Sequence, residues 1–131
     1  MRPIADTGLL VGYLDRSDQY HTWATDCLGN LRVALTTCEA VIAEAEYLVP
    51  GAGPLLLEMV RRGTLRIVPL LPGETEAITT LLQRYKTMQF ADACVVRLSE
   101  LIPDSVVYTT DKRDFTVYRR RRNQPIRFVS P

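Results

Sequence analysis

Pro3-Ile4-Ala5-Asp6-Thr7-Gly8-Leu9-Leu10 decides how the rest of the chain is read. A short apolar run, Pro3–Ala5, stops at an acid, and a helical pattern starts at once, from about Thr7 to Leu14. The same alternation recurs downstream. Further strands are expected at Arg32–Leu35, Leu65–Val68, Val106–Tyr108 and Arg127–Val129. Further helices are expected near Tyr20–Leu28, Cys38–Val49, Pro54–Arg62, Glu74–Tyr85 and Phe90–Leu101. In Glu74–Tyr85 the apolar Ala77, Ile78, Leu81, Leu82 and Tyr85 share one helical face. Strands alternating with helices predict an α/β fold with a mostly parallel sheet. Thr36-Thr37-Cys38-Glu39 reads as a capping box for the third helix. Pro50-Gly51 closes that helix, because proline cannot continue it and glycine takes the left-handed cap.

Length and composition bound the answer. The chain has 131 residues, 47% of them hydrophobic, which fits one domain over 1–131 with a real core. The net charge of +1 does not announce a nucleic-acid binder, so any basic surface is local. Asp6 interrupts the start before any long apolar run, which argues against a signal peptide. No stretch is long and apolar enough to span a membrane. Cys27, Cys38 and Cys94 are odd in number and widely spaced. They fit neither a zinc pattern nor a disulfide framework, and suit a reducing cytoplasm.

The acids carry the chemistry. Asp6 and Asp111 each lie just past the C-terminal end of an expected strand, where ligands of open α/β sheets bind. Their convergence depends on strand order. Asp92 lies in the opening turns of the helix that precedes Val106–Tyr108. Glu44 falls among Val41, Ala45 and Leu48 on the apolar face of its helix, whereas Glu39 and Glu46 point away. A carboxylate in a buried stripe needs a partner, either a basic side chain or a metal. Two carboxylates about 5 Å apart repel by roughly 3 kcal/mol at an effective dielectric near 20. Four gathered together call for a cation. Oxygen donors suit Mg²⁺ or Mn²⁺; with one histidine and scattered cysteines, zinc does not fit. Taken singly, Asp6, Asp92 and Asp111 also read as helix caps or dipole partners.

These residues resemble the PIN-domain family, specifically VapC-type toxins. Ile4-Ala5-Asp6-Thr7-Gly8-Leu9-Leu10 is similar to the family's first motif. The run Thr36–Ala45, with its acid at Glu44, resembles the second. Phe90-Ala91-Asp92-Ala93 resembles the third, and Thr109-Thr110-Asp111-Lys112-Arg113-Asp114-Phe115 the fourth. The likeness spans nearly the whole chain in the family's order. It implies a PIN-like three-layer fold of about five mostly parallel strands flanked by helices. It implies a metal-dependent endoribonuclease, the toxin of a toxin–antitoxin pair. Asp6, Glu44, Asp92 and Asp111 would be its catalytic acids, with Asp6, Asp92 and Asp111 on Mg²⁺ or Mn²⁺. Asp114 would be an outer member, and Thr7 an accessory hydroxyl. Many relatives carry an additional Asp where this chain has Gln89. Implied partners are an RNA substrate, a cognate antitoxin and a second copy of the chain.

Lys112, Arg113 and Arg119-Arg120-Arg121-Arg122 form a local basic segment able to hold RNA phosphates. It equally suits a solvated loop or an anchor for an acidic antitoxin segment. His21, beside Tyr20 and Trp23, is expected to pack rather than catalyse. A receiver domain would need a lysine after its last strand, and Pro125–Pro131 has none. A haloacid-dehalogenase-type phosphatase would need a second Asp two residues after Asp6, where Gly8 stands. The remaining alternative is a catalytically silent PIN-like module that binds RNA or protein.

Overall fold

The computed structural model describes residues 1–131. Five parallel strands form the sheet: β1 (Arg2–Ala5), β2 (Leu35–Thr37), β3 (Leu65–Ile67), β4 (Ser105–Tyr108) and, last in the chain, β7 (Phe128–Val129). Their order across the sheet is β3-β2-β1-β4-β7. Helices α1 (Thr7–Leu14) and α2 (His21–Asn30) link β1 to β2, and α3 (Glu39–Leu48) and α4 (Gly53–Arg61) link β2 to β3. Helices α5 (Thr75–Arg84) and α6 (Phe90–Leu101) link β3 to β4. After β4 come α7 (Lys112–Val117) and a small antiparallel ribbon of β5 (Arg119–Arg120) and β6 (Gln124–Pro125). This is the expected α/β architecture, a parallel sheet flanked by helices.

The central strands are buried because both sheet faces are covered. Ile4, Ala5 and Val107 are fully buried, and with Leu9, Leu10, Leu35, Val41, Leu56, Leu65, Val95, Leu98 and Phe115 they build one core. Helix α5 turns Ile78 and Leu81 inward, as its periodicity requires. Gly51 adopts φ +89 after α3, the left-handed stop that its position predicts. His21 spans two helices, its Nδ1 lying 2.8 Å from the Gly12 carbonyl.

Two local expectations are corrected. The second strand is Leu35–Thr37, not Arg32–Leu35, and Thr36-Thr37 do not cap the following helix. Thr36 pairs with Ile4 and with Arg66 in the sheet, and the Thr37 hydroxyl donates to the Ala5 carbonyl at 2.9 Å. Pairing on both sides outweighs a local cap. Arg32 and Val33 are exposed in the preceding loop. Leu48 is also 54% exposed, so the buried stripe of α3 is carried by Val41 and Ala45.

Candidate metal centre at the sheet's switch point

Strand order settles whether Asp6 and Asp111 converge. The sheet reverses direction of growth between β1 and β4, which are direct neighbours with Ala5 opposite Tyr108. A crevice opens at the carboxyl ends of such a pair. Asp6 ends β1, with its N–H donating to Tyr108 O at 3.0 Å, and Asp111 follows β4 by three residues. Glu44 comes from α3, after the other neighbour of β1, and Asp92 from the first turn of α6.

These residues line one cavity of about 310 Å³, together with Thr7, Gly8, Leu48, Thr87, Gln89, Thr110 and Asp114. Five carboxylates face it and no Lys or Arg does. No salt bridge in the molecule reaches any of the five. Glu44 is half-buried and lines the cavity, while Glu39 and Glu46 are exposed and do not. The basic partner that could have neutralised Glu44 is not there.

Each Asp of the quartet is held by the protein. The buried Thr109 hydroxyl donates to Asp6 Oδ2 at 2.6 Å and accepts the Asp111 N–H at 2.9 Å, tying the two strand ends together. Asp92 closes a capping box with Gln89, whose N–H lies 3.3 Å from Asp92 Oδ2. The Tyr118 hydroxyl donates to the same oxygen at 3.3 Å. Asp111 caps α7, accepting the Asp114 N–H at 3.2 Å. Gly8 permits the close approach of α1 to this loop, since any Cβ there would collide with the Thr110 hydroxyl.

Electrostatics reflects the crowding. Burial pushes the Asp6 carboxyl up to about 7, against the Thr109 and Thr7 hydrogen bonds, with Asp92 and Glu44 adding to the rise. Asp111 is pushed up to about 6 by burial and by Asp114 and Asp92. Asp92 is raised by burial and by Glu44 and Asp114. Tyr118 is raised by burial and by Asp92, Asp114 and Asp111, so it keeps its proton to donate.

The residues fit a hard divalent cation. The donors are all oxygen, the negative charge is uncompensated, and the buried Thr7 hydroxyl has no hydrogen-bond partner. As the side chains lie, no three acids stand close enough to close around an ion. The physical reason is plain: like charges spread apart, and one oxygen each of Asp6, Asp92 and Asp111 rests on a protein donor instead.

The structure thus brings together Asp6, Thr7, Glu44, Asp92, Asp111 and Asp114. Lys112 and Arg113 are exposed at the start of α7, beside this group. The arginine run does not join them. Arg119 donates to the carbonyls of Thr116, Val117 and Tyr118, and Arg120 is buried with Nη1 on Pro103 O at 3.2 Å. Sequence reading missed Thr109 and Tyr118. Thr109 stood within a quoted motif, at the end of a strand bordering the acids, which was its only signal. Tyr118 had none.

Thr109→Val removes one hydroxyl from two hydrogen bonds. It should cost about 1–3 kcal/mol of stability through the unpaired groups and lower activity at least about tenfold by releasing Asp6 and Asp111. Thr109→Ser should restore both in melting and turnover assays. An active, fully stable Val variant would remove Thr109 from this role.

No protein-family model matches the sequence. A curated relative, Ribonuclease VapC26 of Mycobacterium tuberculosis (strain ATCC 25618 / H37Rv), is 26% identical over 123 residues, covering 88% of this chain and 91% of that protein. Among solved structures, Mycobacterium tuberculosis VapC20, a sarcin–ricin-loop-cleaving toxin, superposes with a TM-score of 0.74. That match has 17% identity and covers 85% of this chain and 91% of the other.

Proposed function

We infer that this chain is a PIN-domain protein of the VapC type and acts as an endoribonuclease, the toxin of a toxin–antitoxin pair. The observation that carries the reading is the single cavity at the β1/β4 switch point, lined by five carboxylates and no cation. The relatives' ribonuclease and toxin names agree with it.

The centre would take Mg²⁺ or Mn²⁺ on Asp6, Asp92 and Asp111, with Glu44 the fourth catalytic acid, Asp114 outermost and the Thr7 hydroxyl alongside. A divalent cation supplies Lewis acidity, lowering the pKa of water beside the phosphodiester and offsetting charge on its oxygens. Thr109 fixes the Asp6 carboxylate against rotation and holds the β4 end at its side. Gln89 and Tyr118 orient Asp92 from two directions. The Glu44 carboxylate makes no hydrogen bond to the protein and is free to take a cation contact. Lys112 and Arg113 offer positive charge at the rim for the flanking phosphates. In-line displacement leaves a 5′-phosphate and a 3′-hydroxyl.

No helix is long and apolar enough to cross a membrane. The three cysteines are unpaired, which suits a reducing cytoplasm. A cognate antitoxin and a second copy of the chain are the protein partners proposed; the exposed Tyr47, Leu48, Leu55 and Leu57 are apolar surface such contacts would cover. The test is cleavage of RNA by the purified protein with Mn²⁺ or with chelator, light scattering of the same sample reading the mass. A silent module would bind RNA yet leave it intact in Mn²⁺ as in chelator.

A further inference from the structure

Away from the acids, a second cavity of about 540 Å³ lies between the end of α5, the end of α6 and the β5–β6 ribbon. Arg84, Arg120, Arg121 and Arg122 line it, with Tyr85, Asn123 and Glu100. Its lone carboxylate is already engaged: Glu100 pairs with Arg97 at 3.1 Å, and Arg97 also holds Glu74. None of the four lining arginines has a salt bridge.

Arg120 is the telling residue. It is only 9% exposed, yet no carboxylate answers its charge, and its one side-chain hydrogen bond goes to the Pro103 carbonyl. A guanidinium carries five N–H donors and cannot shed its proton, so a buried one needs an anion or further acceptors. The ribbon's tip adds a second sign of purpose. Arg122 and Asn123 take φ of 57 and 59 in succession, a left-handed pair that a non-glycine chain adopts at a cost. This turn sets the exposed Arg121 and Arg122 on the cavity's rim.

A residue of the cavity wall touches a residue that contacts the acid site. Tyr85, on that wall, meets the ring of Tyr118 edge-on at 5.2 Å, and Tyr118 donates to Asp92. Helix α6 carries Asp92 at one end and Glu100 near the other, about 12 Å apart along its axis at about 1.5 Å per residue.

We propose that Arg84, Arg120, Arg121 and Arg122 form a phosphate-binding site that grips the RNA a few nucleotides from the bond being cut. The proposal rests on the nuclease reading above. It assigns to the arginine cavity the backbone contacts that position a substrate without reading its bases. Arg119, committed to the end of α7, is not part of it.

The test uses Arg84→Ala/Arg121→Ala/Arg122→Ala, three exposed positions whose loss leaves the buried Arg120 in place. Binding of a fluorescein-labelled single-stranded RNA is followed in chelator across a salt series. Turnover is then measured on the same RNA and on a dinucleotide, whose single phosphodiester cannot occupy both cavities. The variant should bind about tenfold more weakly, with a salt slope shallower by about 2, as expected for three lost phosphate contacts on a single strand. KM should rise on the long RNA with kcat unchanged, and the dinucleotide should be cut as by the wild type. If the wild type cuts RNA and the variant matches it in affinity, slope and KM, the arginine site is wrong and the nuclease reading stands. If the wild type cuts no RNA, the nuclease reading falls, and the binding series still decides the site. Unchanged RNA binding with lost binding of a glutamate-rich peptide would overturn the proposal in favour of an acidic protein segment.

Discussion

Asp6→Asn or Asp92→Asn is expected to reduce RNA cleavage by about 10³-fold or more, equivalent to about 4 kcal/mol of transition-state stabilisation. Asn keeps the shape and an acceptor oxygen. At position 6 that oxygen can still take the Thr109 hydroxyl, and at position 92 the Gln89 N–H and the Tyr118 hydroxyl. What is lost is the charge and one acceptor oxygen, which becomes an NH₂ donor. The circular dichroism spectrum should be unchanged and RNA binding in chelator largely retained. Both variants bear on the same assignment from different elements, β1 and α6. An Asn variant of either that cuts at the wild-type rate would remove that acid from the centre.

The metal-free protein should lose stability as pH rises from 5 to 8, and Mn²⁺ should restore it. The sign follows from Asp6. Its folded-state pKa is about 7, against an ordinary 3.8, because burial disfavours the charge. The folded protein therefore holds this proton more tightly than the unfolded chain. The stabilisation is complete below about pH 4 and is lost as pH rises through about 7. Asp111, raised to about 6, adds in the same direction. For Asp6, which is 5% exposed, a shift of about three units is on the order of 4 kcal/mol across the full range. Between pH 5 and 8 this should lower the melting temperature by on the order of 10 °C. Mn²⁺ binds the ionised acids and should reverse the loss at pH 8. Asp6→Asn should flatten the pH dependence and blunt the Mn²⁺ effect. Melting curves that are flat with pH in chelator and indifferent to Mn²⁺ would contradict the electrostatic account.

Much of this arrangement could be read from residues in order. Helices α1 and α6 fall where the sequence places them, and in α6 the Gln89–Asp92 capping box and the buried Ala91, Val95 and Leu98 agree. Glu44 was separable from Glu39 and Glu46 because a helix has only one buried face. Other features depended on contacts made in three dimensions. Thr36-Thr37-Cys38-Glu39 carries a valid local capping signal, yet β2 uses both threonines for pairing. The capping box that forms is Gln89–Asp92, at a position where Gln89 drew notice only as a departure from the relatives' Asp. Helix α7 has six residues, too few to show a period, and the strands of the β5–β6 ribbon have two each. Convergence of Asp6 and Asp111 required the strand order. The run Arg119–Arg122 looked uniform as text, but folding separates a helix-end cap, a buried cation and two exposed side chains.

Incubating the purified protein with RNA, in Mn²⁺ and in chelator, and reading the ends of the products tests the central claim most directly. The account predicts internal cuts that need the cation and leave 5′-phosphate and 3′-hydroxyl ends. Cleavage that persists undiminished in chelator, or no cleavage of RNA with either Mg²⁺ or Mn²⁺, would contradict it.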